Sequence, residues 1–571
     1  MKNQLVADVL YQIADLLDIK GEIFFKTRAY RMAAQKIETL NEDIETVVKE
    51  NRLREIPGVG EALAKKIKEL VETGRLEYFE KLKKEIPPEL LKMLDISGLG
   101  PKKIAAVYNK LGIKTIEELR KAAEEGKLRN IEGFGEITEK NILRGIQLMD
   151  KTRGRVLLNV AYHHGSKYIE YLKKHKKIKR LSLAGSLRRM RETIGDIDIL
   201  ASSDEPEEIM DYFVKYYDVQ RILMKGSTKS SVILNDELQV DLRVVDDKSF
   251  GAALQYFTGS KEHNVQMRSL AIKKGFKLNE YGLFKKNTDT FITGRNEEEI
   301  YKKLGLAFIE PELRENRGEI EAAKENKLPH LVKHDDIKGD LHVHSNYSDG
   351  FETIEAIAEK SLRLGYQYVG ITDHSQSLRV AHGLSKEQIV KKKKEIEKIN
   401  KKLDNFRILC GTECDIKPDG TLDYDNSILK MFDFVIIGIH TSFKMSRKEA
   451  TNRIIRGIEN RYVNILAHPT CRLMMKREPL DLDMEKIFEA AKETNTYLEI
   501  NAFPDRLDLN DYYTKLAKEQ KVKFTVGTDA HSLNHMDFMR YGVATARRGW
   551  LEKKDILNTC TLKEIERIFE L

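Results

Sequence analysis

The chain has 571 residues, with 99 Lys and Arg against 91 Asp and Glu, a formal net charge of +8 and 33% charged residues. A single compact core is excluded at that length, which fits roughly three to five folding units. No apolar run approaches the ~18 residues that a bilayer span needs, and the acid-bearing start of the chain reads as no signal peptide, so a cytoplasmic protein without membrane partners is expected. The four cysteines, Cys410, Cys414, Cys471 and Cys560, show no CxxC spacing and suggest neither a disulfide framework nor a thiolate zinc site.

Residues 1–150 follow a helical period, as in Val6, Leu10, Ile13 and Leu16, and predict all-α structure. From about 151, strand-like runs at 181–184, 197–201, 231–234 and 239–245 are separated by Gly, Asp and Ser, which predicts a mixed sheet. Residues 313–336 are charged and poor in aromatic residues and read as a linker with some helix. Beyond them, Val- and Ile-rich runs at 368–372, 434–439, 463–467, 496–501 and 523–527 alternate with amphipathic helices. That rhythm predicts a β/α architecture whose ligand positions follow the strand ends. The lysine run 391–394 reads as a solvated helix face.

One pattern recurs three times in the helical part: Ile56-Pro57-Gly58-Val59-Gly60, Ile96-Ser97-Gly98-Leu99-Gly100 and Ile131-Glu132-Gly133-Phe134-Gly135, each before a predicted helix. Gly-x-Gly permits a tight turn and close approach of backbone amides to a phosphate. Repeated in one frame, it points to helix-hairpin-helix binding of nucleic acid backbone through Gly58, Gly60, Gly98, Gly100, Gly133 and Gly135, without reading sequence.

In Gly195-Asp196-Ile197-Asp198 the two acids lie two residues apart, on one face of a strand. Asp241, in Val240-Asp241-Leu242, is the candidate third carboxylate from a neighbouring strand. Three carboxylates holding two Mg²⁺ or Mn²⁺ ions suit phosphoryl transfer, and Gly185, Ser186 and Arg189 upstream would hold a triphosphate by backbone amide, hydroxyl and guanidinium. Beyond residue 337 a second donor set gathers: His342, His344, Asp349, His374, Glu413, His440, His468, Asp529 and His531. Nearly all follow Val- or Ile-rich runs. Imidazole and carboxylate without cysteine favour Mn²⁺, Zn²⁺ or Fe²⁺, and nine donors exceed what one ion takes.

The stretch Tyr256-Phe257-Thr258-Gly259-Ser260 with Asn264, Arg268 and Asn279-Glu280-Tyr281-Gly282 resembles the thumb of family X DNA polymerases, of the polymerase beta type, and the Gly-Ser and Asp-x-Asp segments resemble their palm. The resemblance implies that Asp196, Asp198 and Asp241 are catalytic metal ligands, and that Tyr256, Phe257, Gly259 and Asn264 line the sugar and base pocket. It also implies that Lys225, Thr228 and Lys229 touch DNA phosphates and that Arg268 binds DNA. Lys66 falls where some relatives carry a Schiff-base lysine for deoxyribose-phosphate removal; on the residues alone it reads as a solvated helix lysine, and Ala62 replaces a basic neighbour of those relatives.

The histidine set is similar to that of the PHP domain, a distorted, TIM-like β/α barrel with a three-metal hydrolytic site. By that resemblance His342, His344, Glu413 and Asp529 hold one ion, Glu413, His440 and His468 a second, and Asp349, His374 and His531 a third, with Mn²⁺ or Zn²⁺ as the ions.

The expected fold is therefore multidomain: an N-terminal helical domain (1–82), a fingers-like hairpin region (83–150), an α+β nucleotidyltransferase palm (151–247), a thumb (248–312), the linker, and a PHP barrel (337–571). The expected function is short-gap filling in DNA repair by a monomeric polymerase. Its partners are gapped or primed DNA and dNTPs, and its barrel removes 3′ nucleotides and nicks abasic sites. Two alternatives are a PHP half that only braces the polymerase, and a small-molecule phosphatase joined to a nucleotidyltransferase.

Overall fold

The computed structural model describes every residue except Met1, Thr39, Asn41, Ser97, Gly98 and Arg153. Two compact units are present, Met1–Arg153 with Leu473–Glu478, and Gly154–Arg472 with Pro479–Leu571. Among the described residues no helix is long and apolar enough to cross a membrane.

The first unit is helical. Val6, Leu10, Ile13 and Leu16 of the helix Lys2–Ile19 bury their shared face against Ala33, Ala34 and Ile37 of Phe24–Glu38, as a 3.6-residue period requires. The frame of the hairpins has a packing reason. Ile56 and Val59, Ile96 and Leu99, and Ile131 and Phe134 are buried and pin each turn to the core, while the described glycines of the pattern stay exposed. Gly58 and Gly133 adopt φ of +88° and +84°, which a side chain would strain.

In the second unit, five strands form the palm sheet: β1 (Arg180–Leu183), β2 (Asp196–Ser202), β3 (Val219–Lys225), β4 (Lys229–Leu234) and β5 (Gln239–Val245), in the order β1-β2-β5-β4-β3. Only β2 and β5 pair in parallel, and their register sets Asp198 beside Asp241. Edge strand β3 is solvated almost throughout, with Ile222, Leu223 and Met224 exposed, so it shows none of the alternation by which a half-buried strand is read.

The segment expected as a linker is instead part of the thumb core. Leu313, Ile320 and Ala323 join Met267, Leu283 and Tyr301 in one apolar cluster. Arg314, fully buried, donates to Glu297 Oε1 at 2.6 Å, and His263 Nδ1 lies 2.8 Å from Glu319 Oε1. Two of its charges, Arg314 and Glu319, are buried in pairs, which composition alone does not reveal.

Seven parallel strands follow: β6 (Gly339–Val343), β7 (Tyr368–Ile371), β8 (Arg407–Asp415), β9 (Phe434–Gly438), β10 (Ile465–Leu466), β11 (Tyr497–Asn501) and β12 (Phe524–Gly527), neighbours in chain order. The first and last meet through the bridge Val343–Ala530, so the sheet nearly closes into a barrel. Val369, Ile371, Ile408, Val435, Ile437 and Val526 pack with the surrounding helices. All strands run the same way, so their C-terminal ends open on one face.

Candidate active sites

The palm site is built on β2, β5 and the short helix Gly185–Arg188. Burial, then the negative charges of Asp196 and Asp241, push Asp198 up to about 7; burial and Asp241 also raise Asp196. Three acids so placed call for cations. Gly185, at φ +61°, lies so near that a Cβ would overlap the Asp198 carboxylate, which explains a glycine at this step. Asp241 accepts from Gln239 Nε2 at 2.8 Å and lies 3.2 Å from Lys229 Nζ. Lys229, expected on DNA phosphates, thus faces the carboxylates, and with Asp198, Asp241, Arg243 and Phe257 it lines a small cavity. The acids draw it inward.

Of the other expected palm and thumb residues, Ser186 is half-buried at the head of the Gly185–Arg188 turn. Asn264 bonds the Gln255 amide at 2.8 Å and the Tyr256 carbonyl at 2.7 Å, Phe257 stacks under Arg243 with 4.6 Å to the ring centre, and Arg268 is half-buried. Thr228 is exposed and Lys225 pairs with Asp211. The Arg189 guanidinium bonds Glu315 Oε1 (2.9 Å) and the Thr258 carbonyl (2.5 Å), beside Gly259. The buried acid at the end of the thumb supplies the nearer countercharge.

In the first unit, Gly60 and Gly100 cap the helices Glu61–Thr73 and Pro101–Leu111 with no side-chain bond to the helix start. A Cβ at Gly60, Gly100 or Gly135 would meet nothing within 4 Å, so the fold itself sets no requirement for glycine there, and the backbone stays open to an outside ligand. Gly98 lies outside the described residues. Lys66 is no solvated lysine: its ammonium sits 3.7 Å from the ring centre of Tyr78 and hydrogen-bonds Tyr30, and burial with the nearby Lys26 lowers its pKa.

At the barrel mouth the nine donors converge. Oxygen and nitrogen atoms of His342, His344, Glu413 and Asp529 lie within 4.8 Å of one another, as do those of His344, Asp349, His374 and His531, and those of His374, Glu413 and His440. Two rings serve more than one set: His344 also lies with Asp349, His374 and His531, and His374 also lies with Glu413 and His440. His440 Nε2 and His468 Nε2 both reach Glu413 Oε1, at 2.9 Å and 2.7 Å. Gly438 leaves the room, since a Cβ there would stand 2.7 Å from the His468 ring.

Electrostatics fit a cation site. Burial alone would raise Glu413, yet His440, His342 and His374 hold it well below its ordinary range. Against burial, Glu413 and Asp415 lift His440 to about 9, and Asp349 and Asp529 lift His531 to about 9. Buried His342 Nε2, both ring nitrogens of His344, and His374 Nδ1 have no hydrogen-bond partner, the state of ligands shaped for metal.

Several residues here escaped the sequence reading. Glu499 Oε1 lies 2.6 Å from His342 Nδ1 and its other oxygen accepts the His468 backbone amide at 2.8 Å; Asp415 does the same for His440 at 3.1 Å. Such partners fix the ring orientation of ligands. Their signal was an acid between apolar neighbours, Asp415 between Cys414 and Ile416 and Glu499 between Leu498 and Ile500. Lys392, read as solvated, is fully buried, 2.8 Å from Asp373 and donating to the carbonyls of Ile371 and Gly411 at 3.0 Å. Asp373 in turn accepts from the Ser345 amide and hydroxyl, which orders the His344 loop. Lys392→Met therefore leaves Asp373 buried without its cation and is expected to cost about 3–5 kcal/mol, read as a fall in chemical-denaturation midpoint.

A carboxylate-bearing palm and a barrel mouth of imidazole and carboxylate donors give the protein two candidate metal sites. The chain matches the DNA polymerase beta thumb over residues 253–315, a helix-hairpin-helix domain over 1–76, a SAM-like helix-hairpin-helix tandem over 90–147 and the PHP domain over 340–503. It is 39% identical over 568 residues, 99% of both chains, to the DNA polymerase/3′-5′ exonuclease PolX of Bacillus subtilis (strain 168). A probable phosphatase of Thermoanaerobacter sp. (strain X514) is 30% identical over 231 residues, 38% of this chain and 89% of that one, and DNA polymerase lambda of Rattus norvegicus is 24% identical over 292 residues, 45% and 47% of the two chains. The chain belongs to the bacterial PolX family, family X DNA polymerases that carry a PHP domain.

Proposed function

We propose that this protein is a DNA-directed DNA polymerase that fills short gaps in repair and whose barrel is a metal-dependent 3′–5′ exonuclease, with abasic-site nicking as a further activity of the barrel. The observation that carries it is the presence, within one compact unit, of Asp198 paired with Asp241 and of the nine-donor barrel mouth. In this reading Asp196, Asp198 and Asp241 hold Mg²⁺ or Mn²⁺, and the barrel donors hold up to three Mn²⁺ or Zn²⁺ ions. Bound divalent ions lower the pKa of the attacking group and neutralise charge that develops on phosphate. The chain's own part is placement: β2 and β5 set the carboxylates, Ser186 and the Gly185 amide face the triphosphate, and the hairpin amides track DNA phosphates.

Incubation of the purified protein with a gapped, end-labelled duplex and Mn²⁺ tests both halves. Growth of the primer with dNTPs and shortening without them is expected. A primer unchanged in both lanes contradicts the reading.

Lys66 supplies a fourth activity in this proposal, amine attack at an abasic site. Imine formation needs the neutral amine, and a pKa held below the usual lysine range enlarges that fraction near neutral pH. Borohydride trapping of abasic DNA is expected to rise with pH to a plateau reached before that of an exposed lysine, and to vanish in Lys66→Ala.

A further inference from the structure

Arg189 lies within a partly buried chain of charges that begins on the barrel. Arg548, the last residue of the helix Met539–Arg548 and 2% exposed, donates Nη2 to Asp511 Oδ2 at 2.5 Å and Nη1 to both Glu315 Oε1, at 3.0 Å, and the Arg189 carbonyl, at 2.7 Å. The same Glu315 oxygen accepts Arg189 Nε at 2.9 Å. Arg191 stands off at 3.6 Å from the other Glu315 oxygen, and Arg317 lies 3.2 Å from Asp511. Two guanidinium groups, one from the palm and one from the barrel, thus share one carboxylate oxygen.

We propose that Arg548 and Glu315 are positioning residues for nucleotide binding: by sharing Glu315 with Arg189, the barrel's Arg548 sets how readily Arg189 turns from that carboxylate to an incoming triphosphate. A triphosphate oxygen and Glu315 compete for the same guanidinium. With Arg548 in place, Glu315 keeps a bonded cation when Arg189 leaves. Without it, the departure of Arg189 leaves a largely buried carboxylate, 12% exposed, facing only the more distant Arg191, an uncompensated charge of the costly kind. Loss of Arg548 therefore tightens Glu315 on Arg189 and weakens nucleotide binding, and loss of the Glu315 charge does the reverse. The inference rests on the palm being the nucleotide site with Arg189 as a triphosphate ligand.

Primer extension at varied dNTP concentration tests it in the full chain. Arg548→Met is expected to raise the KM for dNTP roughly tenfold, the size of coupling that residues in one charge network show, with kcat changed far less; Arg548→Lys, which keeps the charge and loses the fork, should fall between. Glu315→Gln should lower KM, and the double variant Arg548→Met, Glu315→Gln should lose most of the increase. Shortening of a labelled primer without dNTPs reports that the barrel remains folded. A wild-type KM in Arg548→Met overturns the proposal; if that variant does not fold, a KM in Glu315→Gln at or above wild type overturns it. Arg189→Ala separates the two levels: an unchanged KM there removes the triphosphate role itself, whereas a raised KM with inert Arg548 and Glu315 variants removes only the positioning role.

Discussion

Asp198→Asn is expected to abolish primer extension, leave 3′ shortening intact, and raise the melting temperature of the metal-free protein at pH 8. Loss of a ligand that stabilises developing phosphate charge removes several kcal/mol from the transition state, and at 1.36 kcal/mol per decade this is about a thousandfold or more. The stability effect has the opposite sign. The folded state raises the Asp198 pKa from 3.8 to about 7, so folding disfavours the carboxylate. That cost is absent below the unfolded pKa of 3.8, grows as pH rises toward the folded value and is complete above about 7. A shift of that size corresponds to on the order of 4 kcal/mol, which an uncharged Asn relieves. Wild type and variant should therefore melt close together near pH 4 and diverge at pH 8. A lower melting temperature for the variant at pH 8 contradicts the electrostatic account, and surviving extension contradicts the carboxylate assignment.

The second large effect belongs to the barrel. His342→Ala or His468→Ala should cut 3′ shortening by at least about a hundredfold while primer extension continues at its normal rate. Calorimetric titration with Mn²⁺ should show weaker or fewer barrel sites in the same variants, since both rings bear on Glu413, at 3.3 Å and 2.7 Å. Glu499→Gln provides a graded companion: it keeps the shape around His342 but removes the negative partner at Nδ1, and outer partners of this kind typically change metal affinity by about 10- to 100-fold. If His342→Ala shortens DNA as wild type does, the barrel only braces the polymerase and the nuclease lies elsewhere.

Much of this arrangement was legible in the sequence because ligand motifs and strand signals coincide. His374, His440, His468, Asp529 and His531 each follow a Val- or Ile-rich strand, and parallel strands deliver whatever follows them to one face. Asp196 and Asp198 were legible by the two-residue period of a strand. What stayed hidden depended on partners distant in the chain. Nothing local distinguishes Lys392 from its solvated neighbours; Asp373 does, 19 residues earlier and in another element. The acids of β8 and β11, Asp415 and Glu499, stand among apolar neighbours, and only the His440 and His342 rings beside them show their role. Likewise the charged stretch 313–336 had the composition of a tether, and only Glu297 and His263 convert its Arg314 and Glu319 into core residues.

The ion pairs between palm and barrel bear on how such enzymes are recombined. Arg472 holds Glu192 through both carboxylate oxygens, at 3.1 Å and 2.5 Å, while its Nε donates to the Arg506 carbonyl at 2.8 Å, and Arg548 donates to Glu315 Oε1 at 3.0 Å. A barrel transplanted from a free-standing phosphatase would bring its own surface to Glu192 and Glu315: Glu192 would lose Arg472, and Glu315 would lose Arg548 and keep only Arg189 and the more distant Arg191. Exchange of the barrel alone is thus the wrong unit of inheritance for a chimera; the graft has to carry Arg472, Asp511 and Arg548 with it, or the host has to give up Glu192 and Glu315 in the same step.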